Sequence, residues 1–221
     1  MHRPDFVVGV VAIMCVMALT SGCAQSPPGS PRTPGDDLFT GVPSKGLYRL
    51  PYADGTRVSV FDDFQSHRPQ GRVDFFAISG ERPRAIVAAA AGRIVAIRDS
   101  FSEQQSGRAA VDCRNNFVWI AHENGEWTGY SHLAQRSVTG KANLHVGDTV
   151  QAGQYLGDEA AVGCAMLEHL HFEVAAPGAA IDEGGFLLNN NTGSRNRNPR
   201  FCGVPGESVV KDSTYIAGPC L

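Results

Sequence analysis

The sequence predicts a mainly β domain, a compact antiparallel sheet or sandwich. Glycine is abundant at 25 residues, and the many valine, isoleucine and threonine residues favour strands. Short alternating segments recur along the chain, and none carries a sustained 3.6-residue period. Asn124-Gly125 sits between two such segments, FVWIAH and EWTGYSHL, as a hairpin signal.

The elements follow in chain order. Residues 1–23 open with Arg3 and run through an uncharged apolar stretch, Phe6 to Thr20, to Ser21-Gly22-Cys23. A short basic start, an apolar core and small residues before a cut site describe an export signal. The apolar run is too short for a comfortable membrane-spanning helix. Its ending, LTSGC, resembles a bacterial lipobox, which implies lipidation of Cys23; an ordinary secretory signal cut near Ala24 is the other reading. Residues 24–45 are rich in Pro, Gly and Ser and read as a flexible tether. The domain is expected over residues 46–176, beginning with Val58 to Phe61. VDFFAI (73–78), AIVAAA (85–90), RIVAI (93–97), FVWIAH (117–122), EWTGYSHL (126–133) and HLHFEV (169–174) follow as short strands, with Gly92 in a tight turn between the second and third of these. Residues 177–221, rich in Gly, Asn and Pro, read as an irregular C-terminal extension.

Composition limits the function. Hydrophobic residues at 43% and charged residues at 19% place the chain among globular proteins. A net charge of -3 argues against a nucleic-acid binder, which carries a basic surface. Beyond Cys15 and Cys23, four cysteines remain, an even number that suits disulfides in an exported chain. Three pairings are open; Cys113–Cys164 and Cys202–Cys220 are favoured, the first bracing strands near the site proposed below and the second closing a short loop. No close cysteine pair matches a zinc ribbon.

The sharpest local feature is His169-Leu170-His171. On a strand, residues i and i+2 share a face, so both imidazoles project together. Such a pair alone is weak evidence for a metal. The surrounding motifs add to it. GCAMLEHLHFEV resembles the C-terminal signature of LytM/lysostaphin-type metallopeptidases. FVWIAHENGEWTGYSHLAQ resembles the preceding hairpin of that family, with its Tyr-x-His-Leu pattern at Tyr130 to Leu133. VGDTVQAGQYLG, SHRPQGRVDFFA and AIVAAAAGRIVAI resemble further segments in the same order, over roughly residues 60 to 176.

The resemblance implies a duplicated hybrid motif fold of the LytM type, one Zn2+ per chain, and hydrolysis of peptidoglycan peptides. It implies His67, Asp74 and His171 as zinc ligands and His132 and His169 as catalytic. Three protein ligands leave one position for water, whose pKa zinc lowers to about 7. One of His132 and His169 then takes the water's proton and the other donates to the developing oxyanion. The chain departs from the family at one point. The usual His-x-x-x-Asp spacing would place Gln70 at the ligand position, and His67 lies seven residues before Asp74. Residues 68–73 must bulge for His67 to reach, and Arg68-Pro69-Gln70-Gly71 is turn-prone.

His122 and His145 read as structural and solvated residues, Asp62-Asp63 as a turn, and Trp119 and Trp127 as packing residues. Glu173 shares the face of the histidine pair and is expected to hydrogen-bond behind it. Two alternatives come from other classes. One is a non-catalytic LytM-like lipoprotein that activates a wall-hydrolase partner. The other is a biotinyl- or lipoyl-type carrier, which needs a lysine in an exposed hairpin; Lys141 precedes the Gly-turn segment and does not fit. The reading as a whole is an exported, membrane-anchored enzyme, facing the periplasm from the outer membrane in a Gram-negative cell.

Overall fold

The computed structural model describes residues 41–105, 113–176, 181, 184–186 and 195–221. The expected signal, Cys23 and the tether as far as residue 40 lie outside the described residues. The chain divides into Met1–Asp37 and Leu38–Leu221, and every described residue belongs to the second unit.

Among the described residues, twelve strands build this unit: β1 (Val42–Tyr48), β2 (Arg57–Asp62), β3 (Val73–Ala77), β4 (Ala85–Val87), β5 (Gly92–Arg98), β6 (Phe117–Ala121), β7 (Trp127–Ser131), β8 (Thr149–Val150), β9 (Tyr155–Asp158), β10 (Leu170–Ala175), β11 (Arg197–Phe201) and β12 (Thr214–Ile216). Eight of them form one antiparallel sheet in the order β12-β2-β3-β10-β7-β6-β5-β8. The β6–β7 hairpin turns at Asn124-Gly125, where Gly125 takes the left-handed φ of 80° that closes the turn.

Alternation divides the central strands between core and site. On β3, Val73 and Phe75 point into the core while Asp74 points away. On β10, Phe172 and Val174 do the same, leaving His171 and Glu173 on the face of Asp74. Beneath them Phe75, Phe172, Phe201 and Tyr130 pack with ring centroids 5.4–6.3 Å apart. The rigid core thus lies directly under the central sheet, which positions the polar residues above it.

Three expectations need correction. Strand β1 begins at Val42, inside the segment read as tether, and pairs parallel to β11. Its Lys45 and Gly46 N–H groups donate to the Glu126 carboxylate at 2.8 and 2.9 Å, a long-range contact that local composition does not encode. Strands β4 and β5 do not pair across Gly92. Instead β4 pairs with β9 in a small separate sheet, and β5 lies between β6 and β8. The extension after residue 176 is not merely irregular: β12 forms an edge of the main sheet, and Phe201 of β11 is fully buried in the core. Its strands are short and polar, with Pro199 inside β11, so no alternation betrayed them.

Candidate metal and proton-transfer site

The backbone pairing of three adjacent strands assembles the site. His171 lies opposite Asp74 on β3 and opposite Ser131 on β7, so the residue after Ser131, His132, enters the same neighbourhood. His169 precedes β10 and is held by a bridge to Ala160. The fifth residue, His67, arrives on the loop between β2 and β3. There the Asp63 Oδ1 accepts the N–H groups of Gln65 and Ser66 at 3.0 and 2.8 Å, an Asx turn. Gly71, at φ 97°, turns its N–H onto Phe64 O at 2.9 Å and closes the loop. This is the bulge that the seven-residue spacing requires. Gln70, at the family's usual position, points elsewhere and donates to Gln65 O.

Three imidazole nitrogens converge on Asp74. His171 Nδ1 stands 2.9 Å from Oδ1, His67 Nε2 3.3 Å from Oδ2, and His169 Nε2 3.7 Å from Oδ1. One donor atom each from His67, Asp74 and His171 lies within 4.8 Å of the others. The second nitrogen of every histidine is fixed by an acceptor. His67 Nδ1–H donates to Pro69 O, His132 Nδ1–H to Val162 O and His169 Nδ1–H to Leu167 O, each at 2.8 Å. A carbonyl can only accept, so the proton is on Nδ1 and Nε2 carries the lone pair. His171 Nε2–H donates to Glu173 Oε1 at 3.0 Å, which leaves Nδ1 for the site.

That arrangement tests whether a metal fits. His67 gives its Nδ1–H to Pro69 O and turns Nε2 toward an oxygen of Asp74. Two imidazoles and a carboxylate are a donor set suited to zinc, with each histidine's other nitrogen anchored as metal-binding histidines require. The residues therefore fit the ion.

Electrostatics follow the same division. Burial alone would raise the Asp74 carboxyl, but in the metal-free chain the rings of His171 and His67 set against it hold it well below the usual carboxylate range. Burial works against protonated His171 too, yet Asp74 and Glu173 outweigh it and raise its pKa to about 9 in the metal-free chain. Burial, reinforced by the charges of His169 and His171, holds His132 well below the ordinary value. Burial also lowers His169, opposed by Asp74. Both are neutral at pH 7 and able to accept a proton. Their ring centroids are 4.6 Å apart, on one side of the Asp74 cluster, at the wall of a cavity of about 480 Å³.

Four further residues complete the site. Arg72 Nε donates to the same Glu173 oxygen that holds His171, and its Nη1 reaches Pro69 O, the acceptor of His67, at 3.3 Å. One guanidinium thus links the supports of both histidines around Asp74. Arg72 lies two residues before Asp74, so alternation carried a signal for it. Asn115 Oδ1 accepts the His132 N–H at 3.1 Å, and Asn196 Nδ2 donates to Gly71 O at 2.8 Å. Phe186 sets its ring 4.9 Å from His171 and 5.8 Å from His132. For these three, no local pattern pointed to the site. The other predicted residues fall outside the centre. His122 is bonded to Ala91 O and Thr128 Oγ1, His145 is exposed beside Asp148, and Trp119 and Trp127 pack in a small apolar cluster. Cys113–Cys164 and Cys202–Cys220 are disulfide-bonded, the first at the wall of the same cavity.

The sequence profile of peptidase family M23 matches residues 68–183, more than half of the chain. The chain belongs to peptidase family M23. M23 is a family of zinc-dependent metallopeptidases. The matched stretch holds Asp74, His132, His169 and His171, and begins one residue after His67. Among solved structures, the M23 metalloprotease pseudoalterin, from the deep sea, is 21% identical. The match covers 61% of this chain and 73% of that one, with a TM-score of 0.42. The catalytic domain of lysostaphin from Staphylococcus simulans is 23% identical, covering 66% and 86%, with a TM-score of 0.36. A chain of the SpoIIQ–SpoIIIAH pore-forming complex is 18% identical, covering 66% and 89%, with a TM-score of 0.43. No curated protein matches the chain.

Proposed function

We propose that this M23 chain is a zinc endopeptidase of the bacterial envelope that hydrolyses peptide bonds in peptidoglycan, cross-links or stem peptides, while anchored by a lipid on Cys23. The observation that carries the reading is the pairing of two sets on one sheet face. His67, Asp74 and His171 offer three donor atoms, and two neutral histidines stand beside them with Nε2 as the basic nitrogen. A regulator that only binds has no need of the second set. The lipobox-like LTSGC and the tether support action outside the cytoplasm, where peptidoglycan lies.

His67 Nε2, an Asp74 oxygen and His171 Nδ1 would hold the zinc. When bound, the ion acidifies water and polarises a carbonyl. The remaining work falls to the chain. His132 or His169 accepts the water's proton at Nε2, because burial keeps both imidazoles neutral. The protonated ring returns that proton from Nε2 to the leaving amine; the second ring, with Nδ1–H given to a carbonyl, donates to the oxyanion only when it too carries a proton on Nε2. Leu167 and Phe186 line the cavity and exclude water around the scissile bond.

A digest of purified peptidoglycan by the mature chain, with zinc and with a chelator, tests this by mass spectrometry of the released fragments. Zinc-dependent cleavage of peptide bonds, lost in His171→Ala, is expected. Zinc-loaded protein that releases nothing from several wall types would overturn the reading in favour of an activator of other wall hydrolases.

A further inference from the structure

We propose that the Cys113–Cys164 disulfide is a positioning device for the two proton-carrying histidines, separate from the framework of the metal ligands. The proposal rests on the endopeptidase reading for the role of those histidines, and on geometry for everything else. The short segment Val162–Leu167 supplies both acceptors: Val162 O takes the His132 Nδ1–H and Leu167 O takes the His169 Nδ1–H, each at 2.8 Å. Cys164 lies between these two carbonyls and is bonded to Cys113.

Cys113 stands two residues before Asn115, which is fully buried and accepts the His132 backbone N–H. The disulfide therefore ties the acceptor loop to the frame that holds His132 itself. Gly163, at φ 83°, brings the loop so close that a Cβ there would lie 2.8 Å from Asn115 Cα. Glu103, Gln104 and Gln105, on a largely exposed stretch, also hydrogen-bond to the loop. Past the buried Ala165 it is exposed, Met166 at 82% and Leu167 at 38%.

Among the described residues, the metal ligands have supports of their own outside this loop. His67 is held by Pro69 O, His171 by Glu173, and Asp74 by the pairing of β3 with β10. Opening the disulfide leaves those bonds intact and releases the two carbonyls. An imidazole without its carbonyl partner returns to a mixture of tautomers and turns its basic nitrogen from the site. General acid–base groups contribute on the order of 100- to 10,000-fold, and a misplacement of about 1 Å costs on the order of 100-fold.

The test compares the full chain with Cys113→Ser/Cys164→Ser. Three quantities are read: zinc affinity by competition with a chromophoric chelator, kcat on peptidoglycan, and the ring 15N shifts of His132 and His169 in metal-free protein. We expect zinc affinity within about twofold of the parent, kcat reduced by about 10- to 100-fold, and both rings moved from the Nδ1–H form toward the Nε2–H form. Unchanged tautomers, or a zinc affinity that falls in step with kcat, overturns the proposal. Where the double variant does not fold, the same readings are taken after a water-soluble phosphine opens the bond in the folded parent. The phosphine attacks one sulfur and is hydrolysed to its oxide, one water supplying the oxygen and the two protons that the two thiols take up, and alkylation identifies the opened pair. If the parent cleaves no wall peptide, the endopeptidase reading fails, and the tautomer shifts alone decide this inference.

Discussion

At the scale of single residues, burial decides protonation well away from the metal site. Glu159 is 3% exposed, and its Oε2 meets no hydrogen-bond partner. Burial pushes the carboxyl up from the ordinary 4.5 to about 7, against the pull of Tyr52 and the Ala77 N–H. The Tyr52 hydroxyl stands 2.9 Å from Glu159 Oε1 and 3.1 Å from Phe75 O, and its one proton serves one of them. A protonated Glu159 supplies the other. Because the folded chain holds this proton more tightly than the unfolded one, Glu159 favours folding most below pH 4.5. That support is lost as pH rises through about 7. Glu159→Gln should therefore gain about 3 kcal/mol relative to the parent between pH 4 and pH 8. Urea unfolding of both chains across that range checks it; a constant difference would mean that folding leaves the Glu159 pKa unshifted.

At the scale of elements, the β2–β3 loop and strand β10 were legible to very different degrees. HLHFEV declared itself because a period of two puts His169 and His171 together and sends Leu170, Phe172 and Val174 into the core. The loop from Asp63 to Arg72 could be read only as turn-prone. What draws His67 to Asp74 is the closure at Gly71, together with contacts from Asn196 and from the Lys211 N–H, which donates to Asp63 Oδ2. Sequence neighbours encode none of these. Gly71→Ala tests the closure. At φ 97° an added Cβ is strained and meets the Asn196 side chain at 3.0 Å. We expect a loss of about 1–2 kcal/mol in stability. Zinc affinity should fall about tenfold, as when the support of a ligand is disturbed. A variant that binds zinc like the parent would show that the loop closure does not hold His67 at the site.

At the scale of the molecule, the chain beyond Ala176 belongs to the fold. A boundary there seemed natural because every motif residue had already appeared, and Gly, Asn and Pro crowd the remainder. Yet Phe201 joins the aromatic core, β12 edges the main sheet, and Phe186 faces His171. Residues far apart in sequence make these contacts, and local pattern cannot announce them. A chain ended after Ala176 keeps His67, Asp74, His132, His169 and His171 but should lose cooperative unfolding. Phe201→Ala should cost about 3–5 kcal/mol in the full chain. Calorimetry settles both; a sharp transition in the short chain would reduce the extension to an accessory.

His132 holds a left-handed backbone, φ 67°, where glycine and asparagine rest more easily. A screen that rewards heat resistance alone will accordingly favour replacing this histidine, and its most robust survivors at position 132 will be the ones that have lost the imidazole.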